Sequence, residues 1–212
     1  MNKVCVLSLI LFFIFPFSIS SGNPVKQLEK AKEKERKEVL KRLKKENWRV
    51  LDSSKSIEVA LMEHWVKMDQ TGYDEVVGVS SKGKNKNQLM TMAMNNAIVT
   101  YSQLSSQKIK AFATALYSGD TNNVNKELES FYDTYVRALS KEIHGELMKS
   151  FVAYRENGDG SIEVCAFYII DSEKADESRN NTLQRLSNND DEISKVSKYI
   201  IETIETHNLR EQ

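Results

Sequence analysis

Residues 154–171 read YRENGDGSIEVCAFYIID, and the meaning of Asn157-Gly158-Asp159-Gly160-Ser161-Ile162 at the centre decides the fold. The stretch is either half of a calcium loop or the turn of a hairpin. With Gly160 at the invariant glycine of an EF-hand loop, Asn157, Asp159 and Ile162 all fit. The first ligand position then falls on Arg155, a cation, and the bidentate acid position falls on Ala166. Calcium takes roughly six to eight oxygen ligands, and this loop lacks both of its anchors. Asn-Gly and Asp-Gly are the pairs preferred where a hairpin needs positive φ, and strand-like runs flank them on both sides. The stretch therefore predicts two antiparallel strands and a turn, with no metal.

Outward from the hairpin, the periodicities place helices and two more strands. Val124, Leu128, Phe131, Tyr135, Leu139, Ile143 and Leu147 fall at steps of three and four, the strongest helical pattern in the chain. Before them, NQLMTMAMNNAIVTYSQLSSQKIKAFATALYSG (87–119) puts Leu89, Ala93, Ala97 and Leu104 on one side. Its two alanines would let the helix backbone approach a sheet closely. YDEVVGVSS (73–81) reads as a valine-rich strand, and NWRVLDSS (47–54) as a short one. Between these, Ser56 can cap a helix whose apolar face carries Ile57, Leu61, Trp65 and Met68. After the hairpin come EKADESRNNTLQRL and an amphipathic helix through Ile193, Val196, Ile200 and Ile204, with acids at its positive N-terminal end. The expected class is α+β: an antiparallel sheet of about four strands packed against two long helices.

The two ends of the chain read differently. In MNKVCVLSLILFFIFPFSISSG, Lys3 precedes an apolar run from Val4 to Phe17, and Ser18 and Ser20 suit cleavage after Ser20. That is the layout of a secretory signal peptide, and the run is shorter than the ~20 residues of a membrane span. Export leaves Cys165 as the only cysteine, so no intramolecular disulfide can form, and Cys165 reads as a small buried apolar residue. Residues 25–46 carry 10 Lys and Arg against 5 Glu on strong helix formers, with almost no apolar face. They read as a charged, mobile spacer helix. The expected organisation is a signal peptide (1–20), a charged helical arm (21–46), an α+β domain (47–186) and a C-terminal amphipathic helix (187–212).

Several of these segments resemble a known family. The glycine-ended VVGVS, the alanine-rich AMNNAIVTYSQL, a helix rich in serine and aromatic residues, and SFVAYRENGDGSIEVCAFYII are similar to the Lpp-twenty family of bacterial envelope proteins. The similarity spans about residues 47–175. Glu163-Val164-Cys165 stands where family members carry a tyrosine-containing YxV strand, and no cysteine stands at the cleavage point as a lipid anchor would need. The resemblance implies an α+β fold and an envelope location, and it carries over no catalytic residue.

Chemistry-bearing motifs are sparse. His64, His144 and His207 are too scattered for a local metal motif, and His64 sits on an apolar face as a packing histidine. No nucleophile elbow, phosphate loop or dinucleotide fingerprint occurs. Trp48 and Trp65 read as core aromatics, with pocket lining as the alternative. Net charge is zero and no aromatic residue interleaves the basic segment, which argues against nucleic acid. No catalytic, cofactor-binding or metal-ligating residue and no cofactor is assigned. The expected function is an exported, periplasmic or envelope, non-catalytic binding or assembly module for a protein, peptidoglycan or lipid partner, and not an integral membrane protein once the signal is removed. The alternative is a small exported hydrolase whose carboxylates converge only in three dimensions.

Overall fold

The computed structural model describes residues 24–70, 72–116, 121–188 and 192–210, with the backbone alone at 112–116, 121–127, 192 and 203–210. Residues 1–20, read from the sequence as a signal peptide, lie outside the described residues. The hairpin forms as the sequence predicts: β3 (Met148–Glu156) and β4 (Ile162–Asp171) pair antiparallel, from Met148 opposite Ile169 to Glu156 opposite Ile162. Asn157 N–H donates to Ser161 O (2.8 Å), and Gly160 N–H to Asn157 O (3.0 Å). Gly160 has φ 74°, a conformation that favours glycine. The Asp159 carboxylate is turned into the loop, where Oδ1 accepts from Ser161 N–H (2.9 Å) and Ser161 Oγ (2.6 Å). These bonds hold its carboxyl below the usual range.

Two more strands complete one antiparallel sheet. The short β1 (Arg49–Val50) joins β3, and β2 (Tyr73–Val79) joins β4, giving the order β1-β3-β4-β2. β4 is central and buried on both faces along Ile162 to Ile170, which explains its nearly continuous apolar run. β2 is an edge.

Helices cover both faces. α3 (Lys86–Leu116) lies directly across β2 and β4, while α4 (Thr121–Ile143) packs chiefly on α3, α5 (Ser172–Ser187) and α6 (Glu192–Arg210). Of the two long helices, then, α3 is the one seated on the sheet. The close approach anticipated from the alanines is present: a Cβ on Gly78 would sit 1.9 Å from Ala93 O and 2.7 Å from Ala97 N. Asp171 caps α5, its Oδ1 accepting from Glu173 N–H (3.0 Å) and Lys174 N–H (3.2 Å). Ile200 of α6 is fully enclosed in this main core beside Leu183 and Leu186, and Ile193 and Val196 pack against it. Ile204 lies outside the described side chains.

The opposite face is covered by α2 (Ile57–Met68), capped by Ser56 as read, and by the end of α1 (Pro24–Lys45). Here the structure corrects the expectation of a charged, mobile arm over 21–46. Leu43 is 4% exposed and belongs to a second core with Trp48, Ile57, Leu61, Phe151 and Phe167, against which Val39 and Leu40 also pack. Arg36 makes a bidentate pair with Asp69 (2.8 and 2.7 Å) and lies over the Trp65 ring, and Lys44 pairs with Glu58. The helix ends in a tight turn. Asn47 adopts φ 57°, Trp48 N–H donates to Leu43 O (3.0 Å) and Asn47 N–H to Lys44 O (3.1 Å), while the Leu43 and Trp48 side chains meet in the core. Only the first half of α1 is solvated on all sides.

Candidate binding groove at the edge of the sheet

A groove of about 780 Å³ runs along β2. One wall comes from α1 and α2 and presents Val39, Leu43, Trp65 and Met68 with three cations, Lys32, Arg36 and Arg42, and two acids, Glu35 and Asp69. The facing wall is α3, which presents Asn96, Thr100, Gln103, Leu104 and Gln107, a neutral and mostly polar surface. The volume falls in the range of ordinary ligand sites, about 300–1,000 Å³. A second furrow, about 320 Å³, is lined only by charged side chains of α1 such as Lys30, Glu33 and Lys37, and is a solvated helix surface.

The hydrogen-bond phase of β2 follows from its ends. Ser80 N–H donates to Val164 O (2.8 Å) and Ser172 N–H donates to Gly72 O (2.8 Å), so even-numbered residues of this segment face β4. In an antiparallel ladder the alternate residues point their backbone groups the other way. The N–H and C=O groups of Tyr73, Glu75, Val77 and Val79 therefore point away from β4, and those from Glu75 onward face the groove. Val79 O is taken by Asn96 Nδ2 (2.6 Å). The N–H of Val79 and both backbone groups of Tyr73, Glu75 and Val77 have no hydrogen bond among the described residues. The side chains alternate as well: Val77 and Val79 pack toward α2, while Val76 and Gly78 face α3.

Beneath the groove, His64 is fully buried, edge-on to the rings of Phe151 and Phe167 at 5.9 and 5.6 Å. Its Nε2 meets Glu75 Oε1 at 2.7 Å, and its Nδ1 is buried with no partner among the described residues. The packing role read for His64 holds, with fuller burial than the sequence suggested. Cys165 also lies under the groove, and burial pushes its thiol up to about 12, which makes it inert. Asp69 is committed to Arg36, whose hydrogen bonds hold its carboxyl below the usual range. A general acid needs the opposite shift.

The structure sorts the remaining sequence readings. Trp65 lines the groove, whereas Trp48 is core: its Nε1 donates to Glu46 (3.0 Å) under the Arg155 guanidinium. His144 is exposed beyond α4, and the side chain of His207 lies outside the described residues. The Asn157–Ile162 turn does not line the groove. Sequence reasoning missed the groove wall of Arg42, Asn96, Gln103 and Gln107, because a strand's position at a sheet edge depends on strand order, which the sequence does not carry. Among the described residues no cluster of three His, Cys, Asp or Glu could hold a metal ion, and no helix is long and apolar enough to cross a membrane. Set against protein-family models, curated proteins and solved structures, the chain matches none.

Proposed function

We propose that this protein is an exported, non-catalytic binding module of the bacterial envelope, and that the groove along β2 receives a partner. The observation that carries the reading is a groove of about 780 Å³ with one apolar and basic wall, one neutral polar wall, and open backbone groups between them. Two of its acids are engaged, Asp69 by Arg36 and Glu75 by His64, which favours binding over hydrolysis. The signal-like N-terminus and the resemblance to the Lpp-twenty family support the envelope location. A photo-crosslinking residue at Gln103, which is exposed on the groove wall, is the test. Irradiation of intact cells is expected to give a discrete adduct, and the same probe at Lys141, away from the groove, is expected to give none. No adduct from Gln103, or the same adducts from both positions, contradicts the reading.

A further inference from the structure

The backbone of β2 says more about the partner than the groove's shape does. We propose that the open edge of β2 is a strand-addition site, filled by an extended peptide segment of a partner protein that pairs with Tyr73 to Val77. The inference rests on the reading of the groove as a partner site and names the chemistry of what enters it. Unsatisfied N–H and C=O groups recur at every second residue, and an extended polypeptide is the ligand whose own groups recur at that spacing. A lipid chain or a sugar has no such repeat. Asn96 already supplies one such bond, its amide donating to Val79 O where an incoming strand's N–H would sit. It closes one end of the edge and leaves Tyr73 to Val77 open.

Side-chain preferences follow from the phase. Ligand residues directly opposite Glu75 and Val77 would point to the α1/α2 wall, toward Val39, Trp65 and Arg42. The residues between them would point to Asn96, Thr100 and Gln103 of α3. The fitting segment thus alternates apolar and small polar residues. On the first wall Arg36 is matched by Asp69, Glu75 is hydrogen-bonded to His64, Lys32 and Glu35 carry opposite charges, and Arg42 is left with no ion pair among the described residues. A carboxylate on the apolar side of the ligand would complement it. A second copy of this chain fits less well: antiparallel pairing of two β2 edges would bring two copies of the exposed Asp74 and Glu75 close together. The helical walls on both sides of the edge also leave room for a lone strand rather than another covered sheet.

The test is selection of random dodecapeptides displayed on phage against the intact mature protein, with Val77→Pro as the counter-variant. The Val77 N–H points into the groove, so proline there removes an edge donor without removing a bond to β4, and edge strands tolerate it. Selected peptides are expected to alternate as described, to carry an acid, and to bind Val77→Pro about tenfold or more weakly. Because a proline variant can fail to fold, the same peptides N-methylated at the residues facing β2 are tested on the unaltered protein, with the same loss expected. Peptides that a bulky Gln103→Trp substitution displaces but that ignore both backbone changes overturn strand addition and leave the groove reading standing. No peptide enriched over the Gln103→Trp variant overturns both. A concentration-dependent dimer that Val77→Pro abolishes overturns the peptide in favour of a second copy.

Discussion

At Gly78 a hydrogen in place of a methyl sets the spacing between sheet and helix. An added Cβ would meet Ala93 O at 1.9 Å and Ala97 N at 2.7 Å, both backbone atoms that cannot rotate away. Gly78→Ala is therefore expected to lower stability by about 3 kcal/mol, measured by urea denaturation, by prying α3 from β2. The glycine and the two alanines were all legible in the sequence, as was the close approach they permit. A second residue-scale expectation concerns Cys165. Its thiol is raised from 9.0 to about 12 by burial, so the folded protein holds this proton more tightly than the unfolded chain. The stability this contributes is complete below pH about 9 and is lost as pH rises toward about 12. Iodoacetamide at about pH 8 is expected to label Cys165 only at the rate of global unfolding. Rapid labelling of the native protein would show an open path to the sulfur. The turn at Asp159 gives a third. Its carboxylate is already engaged by Ser161, so thermal melts in millimolar calcium and in chelator are expected to coincide. A rise in calcium that Asp159→Ala removes would restore the metal reading.

At the scale of elements, α1 shows how composition can mislead. A helix with ten cations against four acids and no apolar side chain from Lys32 to Glu38 reads as solvated, and for its first half it is. What was overlooked is local. Leu43, Asn47 and Trp48 have the spacing of a helix end in which a left-handed residue turns the chain and the flanking apolar side chains meet. That spacing announces a docked terminus. A chain beginning at Glu35 is thus expected to melt close to one beginning at Ser21, while one beginning at Glu46 loses Leu43, Val39 and Leu40 from the second core. Burial of one leucine contributes about 1.5–3 kcal/mol, so the shorter chain is expected to melt several degrees lower or to precipitate. Leu43→Ala alone is expected to cost about 2–4 kcal/mol. The pair between Arg36 and Asp69 is partly exposed and contributes far less. Equal melting of all three chains would return α1 to the status of a spacer.

Across the whole molecule, periodicity within segments was readable and the relations between segments were not. Alternation around Asn157–Ser161 gave the hairpin, and three-and-four spacing gave α4, because each depends on residues near in sequence. That β2 joins β4 and ends the sheet depends on a pairing between residues about ninety apart. Its sequence, valine-rich and closed by Gly78-Val79, is equally compatible with a central place. The candidate groove exists only because α1 and α2 stand on one side of that edge and α3 on the other, so no local pattern could reveal it. Among the described residues β2 offers a free, alternating backbone edge inside this groove. Amide hydrogen exchange of the free protein, resolved by NMR at single residues, tests it most directly. Asp74, Val76 and Gly78 are expected to be protected by their bonds to β4, and Glu75 and Val77 to exchange many times faster. Uniform slow exchange from Asp74 to Gly78 would mean that the edge is already filled, and would contradict an open strand-addition site.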